Sequence, residues 1–128
     1  MRDDGAMKIA ATLLLLLSLG TAQAAPTAPA VRTEILGLLQ RLQDSGCEFN
    51  RNGSWYSGAE ARSHLLKKLD YLESHDATPS RSEDFIQKAA SSSSMSGKPY
   101  LVRCAAAAPV ESKAWLTQEL LKLRAGKT

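Results

Sequence analysis

Apolar residues recur in this chain at two periods, and the changes between them mark its elements. Over residues 33–44, Ile35, Leu38, Leu39 and Leu42 fall at three- and four-residue spacing, the stripe of an amphipathic helix. Thr33 is placed to cap that helix and Gly46 to end it. Between Cys47 and Tyr56 the pattern becomes that of two short strands broken at Asn52-Gly53, a pair that tolerates positive φ and signals a hairpin. Two registers fit. A two-residue turn sets Phe49 opposite Tyr56, whereas a three-residue loop with Gly53 left-handed sets Phe49 opposite Trp55. The second is preferred, because it gathers Cys47, Phe49 and Trp55 on one side and leaves Glu48, Asn50 and Ser54 on the other.

The helical period then returns. Ser57-Gly-Ala-Glu60 has the form of a capping box, and Ala61, Leu65, Leu69 and Leu72 continue from it as a buried stripe to about Ser74. Arg62, Lys67, Asp70 and Glu73 fall mostly on the wet side of that helix. A second box, Ser80-Arg-Ser-Glu83, predicts a short helix over 82–90 with Phe85, Ile86 and Ala89 inward. Residues 91–97 are too polar to pack and read as a surface loop. Tyr100-Leu-Val-Arg-Cys104 reads as a strand with Tyr100, Val102 and Cys104 on one face and Leu101 and Arg103 on the other. Past Pro109, Ser112 can cap a last helix to about Arg124, striped by Trp115, Leu116, Leu120 and Leu123. The expected fold is α+β over residues 33–125, a single domain with about four helices and a small antiparallel sheet of one hairpin and one further strand.

The N-terminal quarter has a different pattern. An apolar run from Ile9 to Leu19 follows Lys8 and precedes Ala22-Gln23-Ala24, as in a secretory signal peptide over residues 1–24 cleaved between Ala24 and Ala25. Asp3 and Asp4 do not suit a basic leader, which points to Met7 as an alternative start. Residues 25–32, rich in Pro and Ala, read as a flexible lead-in. The expected location is therefore periplasmic or secreted, with no membrane attachment once the signal is removed. In such an oxidising compartment the two cysteines, Cys47 and Cys104, are expected to pair, since neither Cys-x-x-Cys nor a nearby histidine ligand suggests a redox or metal site. A formal net charge of +3, without a basic stripe, argues against nucleic acid as a partner.

The motifs Cys47-x-Phe-x-Arg-Asn-Gly-x-Trp-Tyr56, His64-Leu65, Lys68-Leu69, Tyr71-Leu72, Glu83-Asp-Phe-Ile86 and Ser96-Gly-Lys-Pro-Tyr-x-Val-Arg-Cys104 together resemble the YfeK-like family. That family comprises small secreted bacterial proteins with a domain of unknown function. The resemblance implies a periplasmic protein and brings no catalytic residues with it.

Candidate chemistry is sparse. His64 and His75 stand eleven residues apart, which on a helix separates them by about 16 Å, too far to share a metal. Ser96-Gly97-Lys98-Pro99 lacks the spacing of a phosphate loop. No metal or cofactor is implied. The side chains worth following are Arg51, Asn52, Tyr56, His64, Lys68, Lys98, Tyr100 and Arg103, which a Cys47–Cys104 bridge would draw towards one binding surface rich in Tyr and Arg. The favoured expectation is a non-enzymatic binding or interaction module for an envelope protein, a glycan or an anionic ligand. Two alternatives are a small hydrolase or cell-wall enzyme, using His64, a serine of the 91–96 loop and a carboxylate such as Glu60, and an inhibitor or immunity protein that binds an enzyme through the 50–53 or 91–98 loop.

Overall fold

The computed structural model describes residues 25–126, so the signal peptide expected over 1–24 lies outside the described residues. Helix α1 is Pro29–Asp44, followed by strands β1, Glu48–Arg51, and β2, Ser54–Tyr56. Helix α2, Gly58–Ser74, and helix α3, Ser82–Ala89, precede β3, Leu101–Arg103, β4, Val110–Glu111, and helix α4, Ser112–Ala125. The strands form one antiparallel sheet in the order β2-β1-β3-β4. This is the expected α+β architecture with one additional strand.

The core lies between one face of the sheet and the helices. Ile35, Leu38, Leu39 and Leu42 of α1 are fully buried, and α1 packs against α2, α3 and α4. Phe49 and Val102, paired across β1 and β3, turn into the same core, where Ala61, Leu65, Leu69, Phe85, Leu116 and Leu120 meet them. Each such side chain larger than Ala61 contributes roughly 1.5–3 kcal/mol by leaving water. The bridge between Cys47 and Cys104 forms, with Cα atoms 4.3 Å apart, close to the spacing of a non-hydrogen-bonded cross-strand pair.

Several local expectations change. Helix α1 starts four residues before Thr33, with Pro29 in its first turn and no side-chain cap at Ala28, because proline's fixed φ suits that turn. The lead-in over 25–32 is correspondingly tied down: its last four residues are helical, and Thr27 is buried with its N–H and hydroxyl both donating to Glu73 at 2.7 Å. The hairpin takes the two-residue turn, pairing Arg51 with Ser54 and Phe49 with Tyr56. Asn52 and Gly53 both have positive φ, 52° and 86°, the combination whose twist matches the flanking strands. Trp55 thereby turns to the face opposite Phe49, where Arg103 stacks on its ring at 3.9 Å.

Of the two capping boxes, only that of Ser57 and Glu60 forms. At α3 the Ser80 hydroxyl donates to Asp84 and Glu83 is taken by Arg124, so Arg81 occupies the cap position without a side-chain bond. Ser112 is the first residue of α4 and buried, with Glu111 at the cap. Among the described residues no helix is long and apolar enough to cross a membrane.

Candidate functional site

Helix α2 presents His64, Lys67, Lys68 and Tyr71 at i, i+3, i+4 and i+7, which brings all four onto one side. That side flanks the end of β1. Arg51 shares its strand face with Phe49 by alternation and, being last in β1, extends past the core to reach His64. The third wall is the loop after α3. Its Ser92 bridges to Pro99, the Ser93 N–H donates to the Lys98 carbonyl, and the Ser96 hydroxyl donates to Asn52 at 2.7 Å, which fastens the loop to the hairpin turn.

These walls enclose a pocket of about 440 Å³ lined by Arg51, Asn52, His64, Lys67, Lys68 and Tyr71 from hairpin and helix, and by Ser93, Ser94, Met95 and Tyr100 from the loop and its exit. Five of the eight residues expected to form a surface therefore meet here: Arg51, Asn52, His64, Lys68 and Tyr100. The other three lie elsewhere. Tyr56 sits beneath the Arg51 guanidinium, 5.1 Å from it, but opens into a separate depression beside Trp55. Lys98 is exposed on the loop and does not line the pocket. Arg103 is on the other face of the sheet, because it alternates with the inward Val102; there it bonds to its cross-strand partner Glu48 at 2.8 Å and stacks on Trp55, which the two-residue turn sends to the same face. Lys67, Tyr71, Ser93, Ser94 and Met95 were not among those eight, although the loop residues fell within the 91–96 and 91–98 segments of the two alternatives. For Lys67 and Tyr71 the signal was available, since they continue the helical spacing of His64 and Lys68.

At the floor is a connected set of polar groups. The Arg51 guanidinium donates to His64 Nδ1 at 2.8 Å, and a guanidinium has no lone pair to offer in return. His64 is thereby fixed with its proton on Nε2, which donates to the Tyr100 hydroxyl at 3.3 Å. Lys68 donates to the same hydroxyl at 3.0 Å and to the Ser92 carbonyl at 3.2 Å, and its ammonium lies 4.9 Å from the Tyr100 ring centre. Burial, followed by the charges of Arg51, Lys68 and Lys67, pushes the His64 pKa down to about 4, so the imidazole is neutral at pH 7. Three cations thus face a pocket to which no carboxylate contributes.

Among the described residues, three groups named for an acyl-transfer triad, His64, Glu60 and Ser93, are each bonded to other partners. The free nitrogen lone pair of His64 is occupied by Arg51, and Glu60 is bonded to the Ser57 N–H in the α2 cap. Ser93 Oγ accepts from the Met95 and Ser96 N–H groups, as a turn-forming serine does. Among the described residues no three His, Cys, Asp or Glu side chains cluster as a metal set.

Residues 29–124 match the family of unknown function DUF5329, and the chain belongs to it. No curated protein and no solved structure matches the chain closely enough to be set beside it. The match covers all four helices and the sheet, hence every wall of the pocket.

Proposed function

We propose that this protein is an exported, non-enzymatic binding module that recognises an anionic group in the pocket between α2, the hairpin and the 91–99 loop. The observation that carries the reading is the convergence of Arg51, Lys67 and Lys68 on one concavity without a lining carboxylate. Like charges held this close repel one another, and their mutual energy falls when an anion sits among them. Charge-assisted hydrogen bonds of this type are roughly twice as strong as neutral ones, and an arginine can offer two of them in parallel. The neutral His64 serves as a spacer that orients Arg51 rather than as a base.

The export part of this reading is supported by the leader pattern in residues 1–24 and accords with a disulfide in the folded domain. The finer likeness to YfeK-like periplasmic proteins belongs to this same reading. Two measurements test it. Titration of the purified protein with inorganic phosphate, followed by amide chemical shifts, is expected to move resonances of the hairpin turn, α2 and the 91–99 loop, and to do so weakly in Arg51→Gln and Lys68→Gln proteins. Shifts that are scattered, or equal in the variants, would remove the pocket from consideration. Cell fractionation with N-terminal sequencing is expected to find a periplasmic or secreted form beginning at Ala25; an intact leader in the cytoplasm would overturn export.

A further inference from the structure

The rim of the pocket differs from its floor. Of the four large hydrophobic side chains exposed among the described residues, two, Tyr71, 61 % exposed, and Met95, 98 % exposed, stand on this one pocket, while Val110 and Leu121 lie elsewhere. A methionine this exposed contributes nothing to the fold by burial, and together with Tyr71 it gives the mouth of the pocket an apolar edge. Tyr71 stacks on His75, with ring centres 3.8 Å apart, and presents a flat wall. At the floor the Tyr100 hydroxyl, in a side chain only 2 % exposed, accepts from both Lys68 and His64. With both contacts accepted, its own hydrogen is directed at no acceptor among the described residues. The floor therefore offers donors from Arg51, Lys68 and Tyr100, beneath a rim of apolar surface.

We infer that the pocket takes an amphipathic oxyanion. The head, a carboxylate or a phosphate monoester, seats on Arg51, Lys68 and the Tyr100 hydroxyl, and a flat apolar body fills the space between Tyr71 and Met95. This inference rests on the anion-binding reading above and narrows it. A bare inorganic ion would satisfy the floor yet leave the rim wet, and a pocket of about 440 Å³ is in the size range of whole organic ligands.

The test uses four probes with the full exported protein: benzoate, phenyl phosphate, inorganic phosphate and benzyl alcohol, each titrated calorimetrically. Aryl anions are expected to bind on the order of tenfold more tightly than inorganic phosphate, the gain from burying one ring face. Arg51→Gln should abolish that binding. A Tyr71→Ala/Met95→Ala protein, altered only at exposed positions, should bring phenyl phosphate down to the level of inorganic phosphate and leave inorganic phosphate unchanged. A preference for either head supports the proposal and identifies the head. Inorganic phosphate binding as tightly as phenyl phosphate would sink the amphipathic inference while leaving the anion site intact. Benzyl alcohol binding as well as benzoate, or no binding by any probe, would overturn both.

Discussion

His64 is the residue on which the pocket's electrostatics can be read most directly. Protonating it would set a new charge among Arg51, Lys67 and Lys68 and would break the 2.8 Å bond to Arg51, while Tyr100 offers only a neutral hydroxyl. Its folded pKa of about 4 lies below the ordinary 6.5 of an unfolded chain. Between these values the unfolded state binds a proton that the folded state refuses, so stability is expected to fall as pH drops from about 6.5 to about 4. The group is partly open to solvent, and screening brings this loss to on the order of 1 kcal/mol. Comparison of denaturant midpoints at pH 7 and pH 5 for the wild type and His64→Gln tests it, since only the wild type should show the full decline. An imidazole titration by NMR supplies a second check: Arg51→Gln is expected to raise the His64 pKa, because it removes the largest of the three neighbouring charges acting on it. Residue identity made His64, Lys68, Arg51 and Tyr100 visible in the sequence as polar and aromatic groups near two cysteine-bearing motifs. Alternation along β3 had already set Arg103 on the face opposite Tyr100, so grouping it with the others went against a signal that the sequence held.

At the scale of elements, Ser57 and Gly58 control how α2 starts. Ser57 accepts from the Glu60 N–H and Glu60 accepts from the Ser57 N–H, so Ser57→Ala is expected to cost about 1 kcal/mol, read from denaturant unfolding. Gly58 tests something different. A helical glycine replaced by alanine ordinarily gains roughly 0.5–1 kcal/mol from backbone entropy. Here a Cβ would come within 2.5 Å of the Leu42 carbonyl and 3.0 Å of the Gln43 Cα, where the end of α1 touches the start of α2. Gly58→Ala is therefore expected to reverse the usual sign and destabilise by about 1–3 kcal/mol, the range of overpacked sites. A neutral or stabilising result would mean that the two helices separate easily. Periodicity revealed α1, α2 and α4 because their buried stripes are long, whereas the eight-residue α3 was expected mainly from a Ser80–Glu83 box that does not form. Cap chemistry was legible where it was local, at Ser57, and misleading where a distant partner competed, as Arg124 does for Glu83. Strand β4 has two residues, too few to show a period, and it follows an alanine run with no turn signal of its own. The hairpin turn was recognisable from Asn52-Gly53, but both registers accept that pair, and the apolar count favoured the wrong one because Trp55 found its partner in Arg103 rather than in the core.

For the molecule as a whole, the Cys47–Cys104 bridge joins two parts of the chain that also build the pocket. Cys47 leads into β1, whose last residue is Arg51, and Cys104 ends the segment that begins at Tyr100. The bridge spans a sequence separation of 57, for which restriction of the unfolded chain is worth about 4 kcal/mol. A domain of about 100 residues has only 5–15 kcal/mol in total. A Cys47→Ala/Cys104→Ala protein is therefore expected to lose much of its stability, seen as a lower denaturant midpoint with an equal or steeper slope, because the unfolded chain without its cross-link exposes more surface. The native contacts that remain, Phe49 with Tyr100 at 5.1 Å and Phe49 paired with Val102, are expected to hold β1 beside β3 while the domain stays folded. Under stabilising conditions the bridge-free protein should thus still give the amide shifts of the wild type around Arg51 and Tyr100. If the midpoint falls and those shifts persist, the disulfide acts mainly on the unfolded chain. If the shifts collapse before the domain unfolds, the bridge itself sets the geometry of the pocket, and ligand affinity will depend on the redox state of the compartment.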